Sequence, residues 1–242
     1  MEDPELDAEL AAHRHDHVHR DVSGGWLRAA TFGAMDGLVT TIALVAGVGG
    51  GGAGRDMIVL TGLAGVVAGA FSMALGEFAS VGTQNDAVAA EAAVERRELA
   101  VHPRAEQVEL SRRFRAMGLS GPTADAVARE MHADPDLALR VHLSQEIGVS
   151  LDDQPSPWVA ATSSFAAFAV GGLLPLLTFL LGFGSLPLGL AVGGAGLLVA
   201  GALTSRFTTR TWWGAAVRQL AFGAIAAGAT YLVGMLIGVG VA

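Results

Sequence analysis

The side chains able to do chemistry in this chain are carboxylates and histidines, and several recur at helical spacing. Glu91, Glu95 and Glu98 stand at i, i+4 and i+7, along one stripe of a helix. Glu106 and Glu109 stand at i and i+3, and His142 and Glu146 at i and i+4. Like charges at such spacings destabilise a helix slightly, so an unneutralised stripe asks for a cation. Carboxylates joined by one imidazole suit Fe²⁺, Mn²⁺ or Zn²⁺ rather than Cu(I). Arg96, Arg97, Arg112 and Arg113 could instead balance the same acids as a solvated face, and spacing alone leaves both readings open. A separate run, His13, His15, His17 and His19, could bind a divalent ion in extended form or be a plain polar tail.

A second set lies in apolar surroundings. Asp36 and Glu77 are the two acids well inside long apolar stretches. Charge in hydrocarbon costs a few kcal/mol or more, and acids placed there commonly mark ion or proton pathways. Met73 is one helical turn before Glu77 on the same face, and its thioether is a soft ligand for a transition metal. The alternatives are an acid reaching the surface for Glu77, a helix-locking hydrogen bond for Asp36 and simple packing for Met73. Asp36 is followed by Gly37 and preceded one turn earlier by Gly33, so backbone is open to a partner there.

These residues must be positioned by an all-α integral membrane protein. Of the 242 residues, 52% are hydrophobic and only 16% charged, against roughly 25% charged in soluble domains. A spanning helix needs about 20 mostly apolar residues. Five stretches qualify, at 27–48, 57–81, 158–181, 186–203 and 214–241, the fourth near the lower limit. Too little polar sequence remains to cover five buried soluble helices. Pro175 is expected to kink the third span, and the pairs Gly65/Gly69, Gly189/Gly193 and Gly234/Gly238 suit close helix contact.

Absence of cysteine excludes disulfides, thiolate metal sites and cysteine nucleophiles. A net charge of −8 makes nucleic acid an unexpected partner. The glycine run at 49–54 lacks the lysine of a phosphate-binding loop, so ATP is not expected either.

All 15 Lys/Arg positions are arginines, and all but Arg55, in the loop after the first span, fall on one side of the alternating spans. Arg14, Arg20 and Arg28 precede the first span, eight arginines lie between the second and third, and Arg206, Arg210 and Arg218 follow the fourth. This bias places the N-terminus and the long interval in the cytoplasm and the C-terminus outside. Trp26, Trp158, Trp212 and Trp213 mark the cytoplasmic ends as interfacial anchors in contact with lipid. The first 25 residues are polar, acidic and histidine-rich, without the apolar core of a secretory signal. The domain scheme is therefore a tail at 1–25, spans one and two at 26–84, a cytoplasmic acidic helical insertion at 85–156, a metal-binding domain if its carboxylates hold a cation, and spans three to five at 157–242.

Within the insertion, a helix at 86–99 is expected to continue the second span until His102 and Pro103 break it. Further helices are expected at 104–117, stopped by Gly118, from about Thr123, and at 135–147, closed by Gly148.

Two runs, Gly33-Ala34-Met35-Asp36-Gly37 and Gly69-Ala70-Phe71-Ser72-Met73-Ala74-Leu75-Gly76-Glu77-Phe78, together with the acidic insertion and five spans in this order, resemble the vacuolar iron transporter family. The resemblance covers about Trp26 to the C-terminus and is strongest through the first two spans and the insertion. It implies a homodimer that moves Fe²⁺, sometimes Mn²⁺, out of the cytosol against protons, with Asp36 and Met73 lining the pathway. It also implies metal-binding glutamates at Glu95, Glu98, Glu106, Glu109 and Glu146. His142 stands where the family has a methionine, which hardens the site and bears on metal preference. Gly65 stands where some members carry a glutamate, which bears on proton coupling.

The leading expectation is a divalent-metal exporter of a bacterial plasma membrane, with metal as substrate and no tightly bound cofactor. Its insertion gathers the ion, Asp36 and Met73 carry it, and Glu77 exchanges ions or protons near the cytoplasmic mouth. Such a protein is not an enzyme. The alternatives are a membrane-tethered di-iron storage or ferroxidase protein and a membrane metal sensor. The first of these would use Glu-x-x-His pairs, whereas residues 95–98 read Glu-Arg-Arg-Glu and His142 precedes Glu146.

Overall fold

The computed structural model describes residues 25–207 and 209–241, and all regular structure among them is helical. In order these are α1 (Trp26–Gly50), α2 (Arg55–Val101), α3 (Pro103–Ala116), α4 (Gly121–Met131), α5 (Pro135–Glu146), α6 (Pro157–Leu180), α7 (Leu186–Thr204) and α8 (Trp212–Val241). A single 3-10 turn, Ser205–Phe207, follows α7. The histidine run at 13–19 lies outside the described residues.

Five helices, α1, α2, α6, α7 and α8, are long and apolar enough to cross a membrane. α6 runs unbroken through Pro175. At 1.5 Å per residue the 47 residues of α2 extend about 70 Å, against a hydrocarbon core of about 30 Å. This one helix therefore supplies the second span and a rod projecting far beyond it, and position 85 falls inside it rather than at a break. α2 stops at Val101 because Pro103 disfavours a helical residue before it and opens α3.

α1 and α6 form the centre of the membrane bundle, with α2 and α8 packed on α1, α2 also on α6, and α7 on α8. Their approach is set by glycine. A Cβ on Gly33 would stand 2.6 Å from the Ser164 carbonyl oxygen, and one on Gly37 would collide with that of Phe168. α8 meets α1 in the same way, Gly234 against Gly47 and Gly238 against Gly51. Gly189 and Gly193 receive Phe179 and Ile42, while Gly65 and Gly69 receive Leu44 and Phe168. At the other end of the bundle Arg55 donates to the Phe179 carbonyl at 2.7 Å, a second donor to a terminal acceptor of α6 that also takes the Gly182 N–H. Trp26, Trp158, Trp212 and Trp213 are all exposed at helix starts, and Trp158 meets Phe78 edge-on at 4.9 Å.

The smaller helical unit is α3 to α5 folded back on the extension of α2. Leu110 and Phe114 of α3 bury against Ala124 and Ala128 of α4, and Leu139 and Leu143 of α5 against Ala92 of α2. Ser120 and Asp134 cap the starts of α4 and α5 by accepting from backbone N–H groups. Gly118 and Gly148, at φ +105° and +71°, take the left-handed backbone that ends α3 and α5 at low cost. Asn85 donates to the Pro155 carbonyl at 3.0 Å, tying the returning chain to α2 where α6 begins.

Candidate metal centre

Three helices of the smaller unit converge on His142. α2 brings Glu95, α3 brings Glu106, and α5 brings His142 with Glu146 one turn later. Leu139 and Leu143, on the buried face of α5, hold the imidazole where no solvent reaches it. Its Nδ1 lies 3.1 Å from Glu95 Oε1, 3.2 Å from Glu146 Oε1 and 3.7 Å from Glu106 Oε2. One ligand atom from each of the four residues falls within 4.8 Å of the others.

The residues fit a divalent cation. With each donor at about 2.0–2.2 Å from an ion, two donors stand at most about 4.4 Å apart, so sub-ångström side-chain movement closes the observed spread. Glu95 Oε1 is buried and, although 3.1 Å from Nδ1, accepts no hydrogen bond. Leaving such an oxygen without a donor costs about 1–3 kcal/mol or more, a cost that a coordinated ion removes. Three oxygens and one imidazole nitrogen suit Fe²⁺, Mn²⁺ or Zn²⁺.

The carboxylates feel one another. Burial pushes the Glu95 carboxyl above its ordinary range, and the neighbouring Glu146 adds to this while His142 opposes it. Burial also raises Glu106, again opposed by His142 and reinforced by Glu109, Glu146 and Glu98. Arg113 brings a positive charge to the rim of the cluster, 3.0 Å from Glu109 and 3.4 Å from Glu146. It would therefore compete with an ion for Glu146.

Of the other carboxylates in the sequence pattern, Glu109 turns to Arg113 at the rim, and Glu98 stands 3.9 Å from His102. Glu91 is exposed on α2, outside the cluster. One residue the pattern did not single out does reach the centre. His132, just past α4, puts its Nε2 3.3 Å from His142 Nε2 and its Nδ1 2.7 Å from the Ala128 carbonyl. Burial pulls this imidazole below its ordinary value, and His142 adds to the effect. The only sequence signal was a histidine ten residues before another across a helix break.

In the membrane bundle, α1 and α2 run antiparallel. Ala29 clusters with Val81 at one end, and Leu44 lies over Gly65 further in. Interpolating between these contacts places Met73 level with Asp36, and Glu77 one turn nearer the end that leads to the metal cluster. Asp36 is half-buried and accepts a weak hydrogen bond from Thr40 at 3.4 Å. Glu77 is buried and accepts from Arg28 at 2.7 Å, a partner 49 residues away that spacing could not show. The Leu44 side chain occupies the space a larger residue at Gly65 would need.

Comparison with known proteins adds an independent line. A model of the VIT family matches residues 27–235. A vacuolar iron transporter of Acanthamoeba castellanii is 37% identical over 161 residues, 66% of this chain but only 58% of that protein. Vacuolar iron transporter 1 of rice (Oryza sativa subsp. japonica) is 30% identical over 237 residues, 94% of this chain and 92% of its own length. Vacuolar iron transporter 1 of Arabidopsis thaliana is 29% identical over 182 residues, 74% and 70% of the two chains.

Proposed function

The chain belongs to the VIT family, and on that premise we propose that it exports divalent transition metal, Fe²⁺ first and Mn²⁺ second, from the cytosol in exchange for protons. The observation that carries this reading is the continuity of α2. One helix holds Met73 and Glu77 among apolar residues and, without a break, Glu95 in a four-residue ligand cluster. Capture and passage are thus mounted on one rod. The working unit in this reading is a homodimer in a bacterial plasma membrane, with the N-terminus and the metal cluster in the cytosol and the C-terminus outside.

Glu95, Glu106, His142 and Glu146 collect the hydrated ion and raise its local concentration near the bundle. Asp36 then replaces part of the hydration shell, with Met73 at the same level as a soft neighbour. Glu77 guards the approach, and its pair with Arg28 has to open before the carboxylate can meet a cation. Protonation from the far side releases the ion, because a protonated acid is a poor ligand. Gly65 leaves that proton step to Asp36 and Glu77.

The test is metal flux in proteoliposomes. Purified protein should accumulate Fe²⁺, and less strongly Mn²⁺, in vesicles whose lumen is more acidic than the bath, with Zn²⁺ as the third ion compared. Collapse of the gradient by an ionophore should stop accumulation. Flux no greater than in protein-free vesicles would refute transport, and flux indifferent to the gradient would refute proton exchange.

A further inference from the structure

We propose that His132 is a positioning residue that fixes the tautomer of His142, so that Nδ1 and not Nε2 is offered to the metal. The inference rests on reading the cluster as a metal site and goes beyond it, since His132 is not one of the four residues of that cluster.

Donor and acceptor capacity sets the two tautomers. A backbone carbonyl only accepts, so the 2.7 Å contact between His132 Nδ1 and the Ala128 oxygen requires a proton on Nδ1. A neutral imidazole protonated at Nδ1 carries a lone pair at Nε2. That lone pair faces His142 Nε2 at 3.3 Å, so His142 must donate from Nε2. The remaining nitrogen of His142, Nδ1, is then the one left to bind, and it points at Glu95, Glu106 and Glu146. The Ala128 carbonyl, which cannot reverse, sets the direction of the two bonds between it and His142 Nε2. On the other side His142 Nδ1 lies 3.2 Å from Glu146 Oε1, a carboxylate that only accepts, so an arriving ion takes the place of a proton shared there.

Two further features support the relay. The rings of His132 and His142 meet nearly perpendicular, at 84° with centroids 5.2 Å apart, which aims nitrogen at nitrogen rather than stacking the faces. His142 is fully buried, so no water competes with His132 for its Nε2–H. Metal-binding histidines generally donate their other ring N–H to an outer partner, and losing that partner typically lowers affinity 10–100-fold. Here the partner is a second imidazole anchored on the end of α4. The metal site is thereby coupled to a helix that supplies none of its four ligands.

The relay is tested with full-length protein in detergent, using Zn²⁺ as a redox-silent probe titrated against a chromophoric chelator. His132→Leu should raise the Zn²⁺ Kd about 10–100-fold. His132→Gln should recover most of that loss, because its amide oxygen can accept from His142 Nε2–H. In long-range ¹H–¹⁵N spectra of histidine-labelled, Zn²⁺-loaded protein, His142 should keep its proton on Nε2 and bind metal through Nδ1. Wild-type affinity in His132→Leu, equal loss in the Leu and Gln variants, or a His142 protonated at Nδ1 would each overturn the proposal. Failure of the wild-type protein to bind Zn²⁺ would instead remove the metal-site reading beneath it, a distinguishable result.

Discussion

His142 Nδ1 stands 3.1 Å from Glu95 Oε1, joining the buried face of α5 to the outer length of the helix whose inner length crosses the bundle. The two residues are far apart in sequence and meet because Ala92, Leu139 and Leu143 share one apolar cluster. Packing here determines chemistry. The same cluster that folds α5 onto α2 sets the separation of an imidazole and a carboxylate.

Removing that carboxylate should weaken metal binding more than removing its neighbours on the same helix. Glu95→Gln should lower Zn²⁺ or Mn²⁺ affinity by at least tenfold in calorimetric titration of the full-length protein. Glu91→Gln, an exposed change four residues earlier, should leave the titration unaltered. Equal effects would mean that the acidic face acts only through its net charge.

Binding should depend on pH with a definite sign. Glu95 and Glu106 hold their protons to higher pH than free glutamate, and an ion must displace those protons. Affinity should therefore fall as pH is lowered from neutrality through the raised range. Stability without metal should move the opposite way. A folded-state carboxyl raised above its unfolded value contributes stability that is present below the unfolded value and lost as pH rises through the folded one. Thermal unfolding with chelator should thus show these two groups favouring the fold more at mildly acid pH, with added metal gaining effect towards neutrality. A metal-induced Tm shift independent of pH would contradict the assignment.

Asp36→Asn should abolish metal flux in proteoliposomes while leaving Zn²⁺ binding by the cluster intact, because the two sites lie in different parts of the chain. Normal flux at matched protein content would remove Asp36 from the pathway.

Arg28→Ala should destabilise the protein by about 1–2 kcal/mol, the range for a charged hydrogen bond reduced for the exposed side of the pair. It strands a buried carboxylate at Glu77. Glu77→Gln should cost less, since it leaves an arginine that is already largely exposed. The comparison is read from thermal unfolding in detergent, and a reversed order would show that the pair is not what keeps Glu77 buried.

Much of the helix layout was legible in the sequence, for clear physical reasons. Long apolar runs, an X-Pro break at 102–103 and terminating glycines at 118 and 148 are local signals, and the helix ends fall within a few residues of them. The ligand set was less legible. Spacing on one helix groups Glu91, Glu95 and Glu98, but which of them meets α5 depends on the rotation of α2, a tertiary property. His132 and the Arg28–Glu77 pair were invisible for the same reason, since each depends on contacts between elements. The unbroken run of α2 past position 85 also has a local cause, since nothing between 82 and 101 stops a helix.

The most direct measurement is anomalous diffraction from crystals grown with Mn²⁺, or with Fe²⁺ under anaerobic conditions. A peak is expected about 2.0–2.3 Å from His142 Nδ1 and from oxygens of Glu95, Glu106 and Glu146, lost in the Glu95→Gln variant. A metal peak elsewhere on the chain, with that pocket of carboxylates bare at saturating ion, would contradict it.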